Sequence, residues 1–245
     1  MMIPRTFHRT VPEVTSADVE RFWRRFSELH PGWEFRTHRE PLAPEDWPRT
    51  APYWDLCGSG AQKAGLIRLE ILLRDGGIYV DSDIEPFRSF EALLPLHAFA
   101  GWEDSRTVPD ALIGARPSHP AIASALELAI ERLAQGGGAW ETGPGVTTTI
   151  FPGRVDVLLL PPGAFYPYHY TEKEERENDP GAPPYVYAVH HWAHSWASSP
   201  AAAVDPVMRA TDRLKRMVRR VVPSSFYRAA SRLKSRAMSD GTGGP

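Results

Sequence analysis

The chain reads as one α/β domain of the Rossmann-like type, with a mixed, mostly parallel central sheet, followed by a basic tail. Three observations predict this. Segments with helical spacing of apolar residues alternate with short β-branched or aromatic runs, the pattern of strands joined by covering helices. Between Gly60 and Val80 a helix, two glycines and an apolar run follow one another without a gap. A length of 245 residues at 42% hydrophobic and 24% charged suffices to bury the core of one such domain. The expected division is a catalytic domain over residues 1–205 and a tail over 206–245.

In chain order, Ile3 to Arg9 reads as an opening strand, and Ser16 to His30 as a helix with Phe22, Trp23, Phe26 and Leu29 at helical spacing and Ser16 as its cap. Four prolines between Pro41 and Pro52 forbid regular structure there and predict a surface loop. The spacing predicts a helix over Gly60 to Arg74, stopped by Gly76-Gly77. Ile78-Tyr79-Val80 then has the composition of a buried central strand that delivers Asp81-Ser82-Asp83 at its carboxyl end, where open α/β sheets bind ligands. A further helix is expected from Pro120 to Gln135, ended by Gly136-Gly137-Gly138, and further strands at Val155 to Leu160 and Tyr185 to His191. The polar stretch Thr171 to Pro184 reads as a projecting loop, and there is no internal repeat.

The formal net charge of -2 conceals an asymmetry. Ten of the 28 basic residues lie after Asp205 with only Asp212 and Asp240 as acids, which leaves 18 basic against 28 acidic residues in the body. An acidic body argues against nucleic acid as the ligand, because backbone phosphates need a positive face. Cys57 is the one cysteine, so disulfide frameworks and multi-thiolate zinc sites are excluded and a reducing, cytoplasmic compartment is expected. A small apolar packing role is expected for Cys57. Neither an apolar leader region near the N-terminus nor a membrane-length apolar run is present. The basic, amphipathic tail admits two readings, a helix lying on anionic lipid at the inner membrane face or a solvated helix on the acidic body. Residues 241–245 are expected to be disordered.

Two aspartates one residue apart at a strand end can turn toward one point, and paired carboxylates make a hard-cation site suited to Mg²⁺ or Mn²⁺. By itself an Asp-x-Asp triplet is a common turn pattern. Its setting, the unbroken run Ala61 to Asp83 that passes through Arg68, Gly76-Gly77 and Ile78-Tyr79-Val80-Asp81-Ser82-Asp83, resembles the signature of the glycosyltransferase family with the DXD sugar-binding motif. That group holds mannosyltransferases and capsular-polysaccharide transferases. Ile3-Pro4-Arg5-Thr6-Phe7-His8, Leu112-Ile113-Gly114-Ala115 with His119-Pro120, Thr142-Gly143-Pro144, Phe165-Tyr166-Pro167 and His190-His191-Trp192-Ala193-His194-Ser195-Trp196 extend the resemblance over roughly residues 3 to 196, in family order.

The resemblance implies a GT-A fold and a metal-dependent, retaining transfer of a hexosyl group from a UDP- or GDP-sugar. The acceptor would be a hydroxyl of a glycan, a lipid-linked sugar or a small molecule. It assigns Asp81 and Asp83 to metal and donor, with Asp83 as the direct ligand, and Arg68 to phosphate or sugar hydroxyls through its planar guanidinium. It adds His8, Tyr79, Asp110, Ser195 and Trp196 as donor contacts. His190 and His191 are candidate imidazole ligands, which would favour Mn²⁺ over Mg²⁺; which one points inward is open, since neighbours on a strand face opposite sides. Trp102, Trp140, Trp192, Tyr166 and Tyr168 are candidate sugar platforms, with core packing expected for most.

One departure stands out: the family commonly has an aspartate three residues before the arginine, and this chain has Gly65. Two alternatives therefore accompany the transferase reading. One is a non-catalytic relative that binds a nucleotide sugar or glycan. The other is a phosphotransferase of the haloacid-dehalogenase type, which also starts from an apolar strand and Asp-x-Asp but continues differently from Ile84-Glu85-Pro86.

Overall fold

The computed structural model describes residues 2–168 and 185–192. The expected loop at 171–184, the contacts from Ser195 and Trp196, and the tail at 206–245 lie outside the described residues.

The opening strand β1 runs Thr6–Val11 and leads into α1, Ala17–Leu29, whose Ser16 cap accepts a hydrogen bond from the Val19 amide. Strand β2, Glu34–Arg39, was not expected: its charged residues lie on an exposed edge, so it has no apolar alternation to signal it. The proline-rich stretch holds two short 3-10 turns, Pro44–Asp46 and Ala51–Leu56. Helix α2 spans Gly60–Arg74, β3 spans Gly77–Val80, and β4 is the short run Ile84–Pro86. Then come β5 (Ala98–Gly101), β6 (Leu112–Ala115), α3 (Pro120–Ala134), α4 (Ala139–Thr142), α5 (Pro144–Ile150), β7 (Leu158–Leu160) and β8 (Ala188–His190).

The main sheet has the order β2-β1-β3-β6-β5-β7. β1 pairs in parallel with β2 and β3, and β5 with β7, while β6 is antiparallel to both its neighbours. Five strands therefore share one direction and β6 opposes them, the mixed, mostly parallel α/β sheet expected. A second, two-stranded sheet pairs β4 with β8.

Each face of the sheet closes a separate core, because successive strand residues point to opposite sides. Ile78, Val80, Leu112 and Phe99 join Phe7, Phe26 and Phe90 on one face, whereas Tyr79, Ile113, Ala98 and Ala100 pack under α2 and α3 on the other. Helix α2 lies between the sheet and α3, so its residues are buried nearly all round and even its polar side chains need internal partners. Among the described residues, no helix is long and apolar enough to cross a membrane.

Candidate active site

The site begins with the turn from α2 into β3. Gly76 and Gly77 have φ of +67° and +95°, and a Cβ on Gly77 would sit 2.7 Å from the Thr6 carbonyl oxygen. Only glycine makes this turn without strain, and it sets β3 directly beside β1. With Tyr79 facing α2, the period of two places Asp81 on the same side, where Arg68 projects from the helix.

Arg68 is 4% exposed and forms ion pairs with Asp81 through Nη2 and with Asp110 through Nη1. Its guanidinium lies 4.7 Å above the Tyr79 ring. Burial alone would lower the Arg68 pKa, but the Asp110 and Asp81 carboxylates override it and raise it, so the cation is permanent. Tyr79, pushed up to about 12 mainly by burial, is a floor beneath Arg68 and is 1% exposed. Arg68 is thus the clamp that fixes two carboxylates of the site.

Asp83 is positioned from the second small sheet. β4 and β8 pair so that Ile84 stands opposite His190, and the His191 amide donates to the Asp83 carbonyl at 3.0 Å. This sets His190 Nε2 3.1 Å from Asp83 Oδ1. The alternation of β8 decides the open choice between the histidines: His191 turns the other way, 3.0 Å from Glu85 Oε2 and stacked on Phe22 with ring centres 4.8 Å apart. Among the sequence-named candidates, His190 joins the cluster and His191 does not.

One ligand atom each from Asp81, Asp83 and His190 lie within 4.8 Å of one another. Burial, reinforced by Asp83 and Asp110 against the opposing pull of Arg68, raises the Asp81 pKa to about 6. Burial would lower His190, but Asp83 more than compensates and its pKa is raised. Carboxylates that hold one another in this strained electrostatic state are relieved by a divalent cation. Two carboxylates and an imidazole with its far nitrogen, Nδ1, buried form a donor set that could hold a divalent cation.

Asp110 lies in the site as the second partner of Arg68. Its Oδ2 would stand 3.8 Å from a Cβ at Gly65 and 3.1 Å from one at Gly143, in the Thr142-Gly143-Pro144 turn between α4 and α5. The carboxylate of Asp110 therefore lies against the backbone where Gly65 leaves room. Glu70 does not serve the site: its carboxylate accepts from the Arg49 and Thr50 amides and the Thr50 hydroxyl, anchoring the 47–50 loop. His8 is a correction too. It is fully buried, with Nδ1 3.4 Å from His38 Nε2, beside Asp75 and Gly76 at the start of β3, the end opposite Asp81. Burial lowers its pKa to about 4, so it is a neutral packing residue there. Cys57 is half-buried, its Sγ 3.8 Å from the Tyr53 carbonyl.

Of the five candidate platforms, Trp140 is exposed, and Trp102 and Trp192 pack against the two cores. Tyr166 is fully buried, with its ring edge-on to His190 at 6.1 Å, and burial together with the Asp81, Asp110 and Glu103 carboxylates raises its pKa. Sequence reasoning missed Glu103. It lies two residues beyond the carboxyl end of β5, a signal that an assignment of that strand would have supplied.

The fold is GT-A: a mixed sheet with its acidic site at the carboxyl end of a central parallel strand. A solved structure titled PaToxG Glycosyltransferase superposes with a TM-score of 0.53 at 18% identity, covering 61% of this chain and 69% of that one. Residues 21–100 match the family described as glycosyltransferase sugar-binding region containing DXD motif. The chain is also similar to inositol phosphoceramide mannosyltransferase 2 of Schizosaccharomyces pombe, 24% identical over 167 residues. That match covers 65% of this chain and 46% of the relative, so the chain spans less than half of the relative's length. The haloacid-dehalogenase alternative falls with the fold, and Asp81, its required nucleophile, is ion-paired to a buried arginine.

Proposed function

We propose that the chain is a retaining glycosyltransferase that moves a hexosyl group from a UDP- or GDP-sugar to a hydroxyl acceptor. The observation that carries this reading is the convergence of Asp81, Asp83 and His190 at the end of β3 with Arg68 behind them. Asp81, Asp83 and His190 would hold Mn²⁺ or Mg²⁺, which when bound neutralises the diphosphate of the donor and eases its departure. Arg68 keeps Asp81 fixed and ionised for that task, and Asp110 faces the space where Gly65 exposes backbone. Asp81 and Asp110 are both held by Arg68, so neither is poised as a covalent nucleophile. Retention is accordingly read as departure and attack on one face of the sugar. The mannosyltransferase similarity makes GDP-mannose the first donor to try.

The test is binding and slow hydrolysis of a UDP- and GDP-sugar panel with and without Mn²⁺, wild type beside Asp83→Asn. Metal-dependent release of one sugar, abolished in the variant, is the expected result. Metal-dependent binding without release would favour the non-catalytic relative, and no binding in any condition would end the reading.

A further inference from the structure

Tyr166 is 2% exposed and its hydroxyl has no hydrogen-bond partner. The ring is held edge-on to Phe165 and His190, with centres 6.4 Å and 6.1 Å away, and tilted against Trp192 at 6.2 Å. Packing therefore fixes the direction of the phenol. Through the contact with His190 the phenol stands beside the Asp81, Asp83 and His190 cluster, within electrostatic reach of the Asp81, Asp110 and Glu103 carboxylates. A buried hydroxyl left unpaired is unfavourable, and phenylalanine would fill the same volume without that penalty. An oxygen retained at this place has its partner in a molecule that enters the site.

The chemistry of the surroundings limits what that molecule presents. A phenol O–H donates, and carboxylates only accept. An atom between them must accept from Tyr166 and donate to a carboxylate. A sugar hydroxyl does both, whereas a phosphate oxygen only accepts and would be repelled by the acidic wall. We propose that Tyr166 is a specificity-determining residue for the donor sugar, its phenolic O–H donating to a hydroxyl of the transferred hexose, which in turn donates to a neighbouring carboxylate. This rests on the nucleotide-sugar reading above.

The experiment is calorimetric titration of wild type and Tyr166→Phe in Mn²⁺ with GDP-mannose and UDP-glucose, and with GDP and UDP alone. The expected result is about tenfold weaker binding of the nucleotide sugar by the variant, the equivalent of about 1.4 kcal/mol, with nucleoside diphosphate affinity unchanged. The melting temperature should stay level or rise, because only an unpaired oxygen is removed, so a loss of affinity cannot be ascribed to misfolding. Equal affinity of the two proteins for the nucleotide sugar would overturn the proposal, as would a parallel loss for the diphosphate alone. A wild type that binds none of the four probes would instead remove the nucleotide-sugar reading itself, a separate and recognisable failure.

Discussion

Replacing Arg68 with methionine removes the cation that, among the described residues, pairs with both Asp81 and Asp110, while keeping most of the side-chain volume. Arg68 is 4% exposed and pairs with both carboxylates. Breaking a buried ion pair by deleting one partner costs about 3–5 kcal/mol, since the remaining charge stays desolvated and uncompensated. Loss of the contact with the Tyr79 ring adds roughly 0.5–1 kcal/mol. Urea unfolding at about pH 7 should therefore show Arg68→Met less stable by about 3–5 kcal/mol, a large part of a domain's total. The pH dependence gives a second check. Asp81 already has a folded-state pKa raised to about 6, and without Arg68 it rises further. A raised carboxylate contributes stability that is complete below its unfolded pKa and lost as pH climbs through the folded value. Lowering the pH from 7 to 5 then returns up to about 2.7 kcal/mol per proton taken up in the variant, and roughly half that in wild type, where Asp81 titrates inside the window. The stability gap should narrow by about 1 kcal/mol or more. A gap below about 1 kcal/mol at neutral pH, or one that stays constant down to pH 5, would refute the argument that Arg68 compensates buried charge.

Two further outcomes follow from the same geometry. His190→Ala should weaken Mn²⁺ binding on the order of 10- to 100-fold by titration calorimetry, while His191→Ala leaves it within about twofold, because only His190 Nε2 faces Asp83; equal effects would mean that the two rings are not divided in this way. Gly77→Ala should destabilise the fold by more than about 1 kcal/mol in urea unfolding, because the residue needs φ of +95° and its Cβ would meet the Thr6 carbonyl at 2.7 Å; a neutral substitution would show that the β1–β3 contact tolerates a shift.

The sequence by itself determined the frame around the chemistry. The apolar run of Gly60–Arg74, the paired glycines and Ile78-Tyr79-Val80 are local signals, fixed by helix periodicity, by positive φ and by β-branched composition, and they set Asp81 at a strand end. Ser16 capping α1 was legible for the same reason. What local patterns do not carry is pairing between distant segments. Edge strand β2 has no apolar alternation, and β4 and β5 are too short to announce themselves, so Glu103 beyond β5 went unnoticed. Composition could offer His190 and His191 together; only the register of β8 against β4 turned one toward Asp83 and the other toward Glu85. His8, apt for a donor contact by its place in a motif, lies instead beside Gly77 at the start of β3, against His38, a position that only the pairing of β1 with β2 and β3 reveals. The convergence of Arg68 and Asp110 on Asp81, and of His190 on Asp83, belongs to the tertiary structure alone, since residues up to about a hundred positions apart meet there through packing that no local segment specifies.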